Sequence, residues 1–208
     1  NGNDVKADDG RWWLDREFGV FSIEELVKRG DNTITLEVSP MTVFAEIEPV
    51  YITGDFSVRP AEKGWTIVPL FKELKTGSWK DQGMPFYSWD VTYTKDYEID
   101  NPEGKYLVSL GNWSGTVAEV TVNDQPAGLI TLPPYRRDIT EFIKAGENSI
   151  AVKVTGSLKN VLGPHFNDPA PGLVSPWHFR NVKTYPPGKD YQLFDYGLME
   201  EFELLNSR

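Results

Sequence analysis

The sequence contains no cysteine, which excludes disulfides, thiolate metal sites and cysteine nucleophiles while leaving the compartment open. It has no apolar run near the roughly 18 residues that a membrane-spanning helix requires. Cationic residues are the minority, 21 Lys and Arg against 31 Asp and Glu for a net charge of −10. No Lys/Arg cluster offers the surface that a phosphate backbone or an anionic membrane demands, so neither nucleic acid nor membrane is an expected partner. An initiator Met and a signal peptide are lacking too; the chain opens Asn1-Gly2-Asn3-Asp4, and we expect a fragment or a processed product.

What is present suffices for one full core with a smaller attached piece, since 208 residues with 39% hydrophobic and 25% charged content describe a globular chain. Aromatic residues make up 13%, seven of them Trp, more than a minimal core needs and enough to leave rings for binding.

The chain is organised around Val117 to Leu162. Ala118, Val120 and Val122 alternate with Glu119 and Thr121, and Ile150, Val152 and Val154 alternate with Ala151 and Lys153, as half-buried strands require. Between them, Asp138 or Thr140 can cap a short helical turn through Ile143 and Lys144, which Gly146 ends in a left-handed conformation. Ser22 to Val38 repeats this pattern. A constant offset of 116 positions lays Ile23 on Ile139, Lys28 on Lys144, Gly30 on Gly146, Asn32 on Asn148, Ile34 on Ile150 and Val38 on Val154. Too few residues precede the first copy to complete a sandwich of seven or eight strands. It reads as the tail of an upstream, similar domain or as strands added to the main one.

Elsewhere, Val43 to Val58 predicts a strand, an interruption at Pro49 and a second strand, and Trp65 to Leu70 predicts another. Residues 75–89 read as a loop leading into Asp90 to Ile99, where Val91, Tyr93, Tyr97 and Ile99 share a face; Tyr106 to Leu110 and Thr116 to Val122 follow. After Leu162 a Pro/Gly-rich passage runs to Phe179, and Asp195 to Leu205 returns as a closing strand. Strands separated by turn signals predict an all-β fold.

The phrases Val-Thr-Val-Asn-Asp-Gln-Pro-Ala-Gly (120–128), Pro-Tyr-Arg-Arg-Asp-Ile-Thr (134–140) and Lys-Ala-Gly-Glu-Asn-Ser-Ile-Ala-Val-Lys-Val (144–154) resemble the jelly-roll, galactose-binding-like domain of family 2 and related bacterial glycoside hydrolases. Tyr-Ile-Thr-Gly-Asp-Phe (51–56), Gly-Met-Pro-Phe-Tyr-Ser-Trp (83–89) and Val-Leu-Gly-Pro-His-Phe (161–166) look like the C-terminal sandwich of large glycosidase-like proteins of polysaccharide-degrading gut bacteria. The resemblance runs from about residue 40 to the end. The family usually has Asn-Gly where this chain has Asn123-Asp124, and Asp tolerates such a turn. The resemblance implies an antiparallel jelly-roll β-sandwich over residues 43–208, preceded by an accessory segment, 1–42. It also implies that the catalytic carboxylates sit in a separate barrel domain, that calcium is common near the rim, and that the module is periplasmic or secreted. Asp8-Asp9 or Asp100-Asn101 can offer oxygens, but no dense oxygen cluster is visible; no organic cofactor is expected and metal stays unassigned.

Two carboxylate and loop constellations warrant weighing as chemistry. Glu46 and Glu48 would lie roughly 6.5–7 Å apart on one strand face, near glycosidase separations, but their alternation with Ala45, Ile47 and Val50 fits a solvated outer face better. Glu24-Glu25 and Glu200-Glu201 read as surface charge. His165, Asp168, Ser175 and His178 crowd one loop without a Gly-x-Ser-x-Gly elbow or a metal-ligand spacing. The aromatic signal is stronger. Trp79, Phe86, Tyr87, Trp89, Trp113 and Trp177 fall in or beside predicted loops, where rings can stack on the C–H faces of a sugar while Asn112, Arg136 or His165 bond its hydroxyls. Core or interface packing competes for each ring, and Trp12, Trp13 and Trp65 read as packing residues. The expected function is a non-catalytic accessory module of a glycoside hydrolase that binds carbohydrate or positions the parent chain's catalytic domain. A purely structural scaffold and an independent hydrolase are the competing readings.

Overall fold

A computed structural model describes residues 1–45, 49–165, 175, 178 and 186–207. The chain divides into two compact units, Asn1–Ile52 and Thr53–Arg208. In the first unit, β1 (Trp12–Trp13) and β2 (Asp15–Gly19) form an antiparallel hairpin. Tyr51 packs on Trp13 with ring centroids 5.1 Å apart. Thr33 to Val38, whose alternation predicts a strand, is not one here: alternation selects a face, but a strand also needs a neighbour to take its backbone hydrogen bonds.

The second unit carries β3 (Phe56–Pro60), β4 (Trp65–Pro69), β5 (Asp90–Ile99), β6 (Lys105–Ser109) and β7 (Trp113–Ser114). It continues with β8 (Val117–Val122), β9 (Gln125–Ile130), β10 (Arg136–Asp138), β11 (Gly146–Thr155), β12 (Gly197–Leu198) and β13 (Glu203–Ser207). Among the described residues its helical elements span three or four residues each, α1 (Lys159–Leu162) among them. The unit is an all-β, antiparallel sandwich. One sheet has the order β5-β11-β8-β9 and another the order β10-β6-β13, with β7-β12 and β3-β4 as two-stranded additions.

The central strands follow their sequence. Ala118, Val120 and Val122 of β8 and Ile150, Val152 and Val154 of β11 are all 0% exposed, and Tyr106 and Val108 of β6 share their core. Outward-facing Lys153 pairs with Glu119 across the strands at 2.6 Å. Asn123 and Asp124 both have positive φ, 49° and 63°, the geometry of a type I′ hairpin turn. The predicted capped turn is shorter than expected: it spans Thr140–Phe142, its N-cap position is Ile139 with no side-chain cap, and Ile143 is already extended. The Asp138 carboxylate instead makes an Asx-turn, accepting from the Thr140 N–H at 3.1 Å and the Thr140 hydroxyl at 2.7 Å. Those bonds, led by the hydroxyl's, hold its pKa below the usual value.

Three further predicted strands differ. Val43 to Ala45, the start of the strand expected before Pro49, form a turn in which the Ala45 N–H donates to the Thr42 carbonyl at 3.0 Å, and residues 46–48 lie outside the described residues. Val50 to Gly54 is irregular and β3 starts only at Phe56, where β4 can pair with it. The single closing strand is split into β12 and β13 because each pairs with a different partner, β7 and β6.

Candidate functional site

The loops of one sandwich end gather most of the predicted site. Register places the start of β5, the end of β11 and the start of β8 together, since Thr155 lies opposite both Asp90 and Val117. The Gly156 N–H donates to the Trp89 carbonyl and the Thr116 N–H to that of Thr155, both at 2.8 Å. The segment 110–116 leads from β6 to β8 across this end. Its Leu110 N–H donates to the Tyr135 carbonyl at 3.0 Å.

Here an open cleft of about 510 Å³ is lined by Ser78, Asp81, Asn112, Ser114, Phe194, Asp195 and Met199. Three backbone bonds build its floor: Gly77 N–H to Leu198 O at 2.7 Å, Trp79 N–H to Tyr196 O at 3.0 Å, and Met199 N–H to Asn112 O at 3.0 Å. The Asn112 N–H donates to the Glu200 carboxylate. Phe194 is fixed by the buried Asn160, whose amide accepts from the Phe194 N–H at 2.9 Å and donates to the carbonyls of Phe194 at 2.9 Å and Pro85 at 3.0 Å. Asp195 pairs with Lys80 at 3.0 Å. Burial pushes the Asp195 pKa up, but the Ser78 hydroxyl and Lys80 outweigh it and hold the carboxyl below its usual value. Two carboxylates, an amide, the Ser114 hydroxyl and two apolar side chains thus line one space, while the Ser78 hydroxyl oxygen is buried. Such a set suits a ligand dense in hydroxyl groups that also has an apolar face.

The predicted residues distribute unevenly around this cleft. Asn112 lines it. Trp89, 63% exposed, stands on the same end, as does exposed Arg136 at the start of β10. Trp113 is half-buried, its ring edge-on to Tyr135 at 5.5 Å, and its buried indole N–H finds no hydrogen-bond partner among the described residues. Tyr87 is half-buried against Trp79 at 5.8 Å. Its hydroxyl donates to the Asp90 carbonyl at 3.0 Å, and burial, with a smaller push from Asp90, raises its pKa.

Trp79 is a correction. It is 1% exposed in the core and offers no face to a ligand; Gly197, at φ +119°, lets the backbone close to where a side-chain carbon would sit 2.5 Å from the indole nitrogen. His165 belongs to an aromatic cluster instead of the cleft. Its ring packs on Tyr191 at 5.2 Å and Phe86 at 5.6 Å, and Phe86 packs on Trp65 at 5.3 Å. Trp177, Asp168, Glu46 and Glu48 lie outside the described residues. The Ser175 hydroxyl is 3.1 Å from His178 Nδ1, but the same nitrogen accepts the Ser175 N–H at 3.1 Å, which makes the pair a local turn contact.

Sequence reasoning missed Asp81, Asp195, Phe194 and Asn160. Asp195 sits in a segment that reads as strand, and nothing in a pattern marks a buried Asn three positions before Gly163 as a loop anchor. Among the described residues no group of three or more His, Asp or Glu side chains is arranged to hold a metal ion, and no helix is long and apolar enough to cross a membrane.

No family model matches the chain. It is 28% identical over 191 residues to a protein of Formosa agariphila named for β-glucuronidase activity, a match covering 82% of this chain and 16% of that protein. Among solved structures it is similar to a rhamnosidase from Novosphingobium sp. PP1Y, with 18% identity, 79% of this chain, 16% of that one and a TM-score of 0.47. It is also similar to a β-glucuronidase of Bifidobacterium dentium, with 20% identity, 73% and 28% coverage and a TM-score of 0.42. The matched proteins are glycoside hydrolases by name, met over part of their length, and the chain spans 16% of the length of the curated relative.

Proposed function

We propose that the chain is a non-catalytic module of a periplasmic or secreted glycoside hydrolase, binding carbohydrate at the loop end of its sandwich and so presenting substrate to the catalytic domain of the parent chain. The cleft carries this reading: Asn112, Ser114, Asp81 and Asp195 offer hydroxyl-directed hydrogen bonds beside Phe194 and Met199, and exposed Trp89 stands on the same end. The relative's name supports the carbohydrate connection. Asp195 is held ionised by Lys80, the opposite of the raised pKa that a glycosidase acid needs. With carboxylates in the cleft, the favoured ligand is a neutral sugar; a uronate would meet like charge.

Isothermal titration of the purified chain against neutral and uronate oligosaccharides and their polymers tests this. Saturable binding of neutral sugars, weakened in Asn112→Ala and Asp195→Asn, is the expected result. No binding across the panel would leave the scaffold reading, which exposed Leu129 and Leu132 at 57% and 75% favour as apolar contacts for a neighbouring domain.

A further inference from the structure

The first unit contains the same hydrogen-bonded corner as the second. In the second unit Asn148 accepts the Lys144 N–H at 3.0 Å and donates to the carbonyls of Lys144 at 2.8 Å and Gly146 at 2.9 Å. In the first, Asn32 accepts the Lys28 N–H at 2.9 Å and donates to Lys28 O at 2.8 Å and Gly30 O at 3.0 Å. Gly30 and Gly146 share a left-handed conformation, φ +92° and +87°.

The equivalence extends to a residue that the 116-position offset does not reach. Asn123, at the end of β8, donates through Nδ2 to Asn148 Oδ1 at 3.0 Å and Phe142 O at 3.2 Å; its Oδ1 accepts the Ser149 N–H at 3.1 Å, and its own N–H donates to Ser149 O at 2.9 Å. The Asn1 side chain makes the same three bonds, to Asn32 Oδ1 at 2.9 Å, Leu26 O at 3.0 Å and the Thr33 N–H at 3.1 Å, and its terminal ammonium donates to Thr33 O at 2.6 Å where the Asn123 amide donates to Ser149 O. Gly2 then has φ +80° where Asp124 has φ +63°. Asn1-Gly2 is therefore the counterpart of the Asn123-Asp124 hairpin turn.

In the second unit that turn joins β8 to the sheet with Val122 opposite Ile150, Val120 opposite Val152 and Ala118 opposite Val154. The counterparts of Ile150, Val152 and Val154 are Ile34, Leu36 and Val38, which are 50%, 54% and 43% exposed where the originals are 0%. An apolar stripe this regular, beside a formed turn that a strand must enter, is one half of a core.

We infer that the six residues running into Asn1 in the parent polypeptide form a strand antiparallel to residues 34–39, with the residue immediately before Asn1 opposite Ile34, so that the first unit is the closing part of a second sandwich. The occupant is a covalent neighbour because the turn already sets its direction and register, and the 16% share of the curated relative leaves ample chain to supply it. Its residues opposite Ile34, Leu36 and Val38 are apolar. The residue opposite Glu37 is basic, since Glu37 stands where Lys153 meets Glu119.

Hydrogen exchange on the 208-residue chain and on the N-terminally longer parent polypeptide is the first test. Amides of Thr35, Glu37 and Ser39, whose counterparts Ala151, Lys153 and Thr155 face β8, should exchange freely in the former and slow by about a hundredfold or more in the latter. Equal exchange in both overturns the inference, and so does protection already present in the shorter chain, which would mean a different occupant. Register is tested in the parent by Ile34→Cys paired with cysteine at the residue immediately before Asn1. A disulfide under mild oxidation is expected there and not with the cysteine moved one residue earlier; no cross-link, or an equal one in both, overturns the register. Neither result depends on whether the second unit binds sugar.

Discussion

The Tyr93 hydroxyl accepts the Trp79 indole N–H at 2.8 Å and the Leu198 N–H at 3.3 Å. One oxygen on β5 thus satisfies two donors, one from the buried Trp79 ring and one from β12. Tyr93→Phe removes the acceptor and leaves both donors without it. The expected loss is about 2 kcal/mol, read as a lowered midpoint in urea unfolding with an unchanged slope. Trp79→Ala should cost more, about 3–5 kcal/mol, because a fully packed ring leaves a cavity. A midpoint unmoved by Tyr93→Phe would show that neither bond contributes.

Asn148→Asp should be far more damaging than Asn32→Asp. Asn148 is 0% exposed, and an Asp there puts an oxygen, in place of the Nδ2 donor, against the carbonyls of Lys144 and Gly146. Protonation would restore a donor, so the folded-state pKa is raised above the unfolded value of roughly 3.9. The variant's stability is therefore fullest below that value and is lost as pH rises through the raised pKa. Thermal unfolding from pH 4 to 7 should show Asn148→Asp losing ground to the wild type as pH increases. Asn32→Asp, with the same bonds in an exposed corner, should show a much smaller effect, because water replaces the lost partner.

These two residues also mark how far the sequence could be read. The alternation at Ile150, Val152 and Val154 was legible because period two identifies a face, and Asn148 follows from the Gly-x-Asn spacing. Ile34, Leu36 and Val38 have the same alternation and Asn32 the same corner, yet no strand forms there; pairing is a property of neighbours and cannot be read from one segment. Trp79 was illegible for a related reason. It lies in a polar, Gly-flanked loop, and among the residues that bury it, Gly197 and Gly156 at close approach and Tyr196 lie at least 77 positions away in the chain. Ser78, Asp81, Asn112 and Ser114 of the cleft come from the loops that carry the predicted aromatic candidates, but of the named candidates themselves Asn112 alone lines it. Asp195 came from the start of a segment that reads as strand, and Phe194 from the residue before it.

His165 gives a pH dependence of opposite sign to Asn148→Asp. Burial lowers its pKa from the ordinary 6.5, the Asn160 carbonyl opposes this, and Lys159 adds to the lowering. Its Nε2 lies 2.7 Å from that carbonyl, so the neutral ring donates there. The folded chain then binds fewer protons than the unfolded one. The neutral ring's contribution is full above about 6.5 and declines as pH falls toward the depressed value. The melting temperature should fall between pH 7.5 and 5.5, and His165→Gln should flatten that slope while lowering stability at pH 7.5 through lost contact with Tyr191 and Phe86. An unchanged slope in the variant would assign the pH dependence to other groups.

Trp89 and Trp113 separate binding from folding at the loop end. Trp89 is 63% exposed, so Trp89→Ala should change stability by less than about 0.5 kcal/mol. If the ring stacks on a bound sugar, its loss should weaken binding about tenfold, which corresponds to about 1.4 kcal/mol. Trp113 packs edge-on to Tyr135, so Trp113→Ala should destabilise the fold by about 2–4 kcal/mol and lower affinity only as the loop end loosens. Trp113→Phe keeps the edge-on contact while removing an indole N–H that has no partner among the described residues, and it should be nearly neutral or stabilising. Melting curves and titrations on the three variants check the set together. If Trp89→Ala leaves affinity unchanged while Asn112→Ala weakens it, the sugar lies within the cleft and does not extend onto the exposed ring.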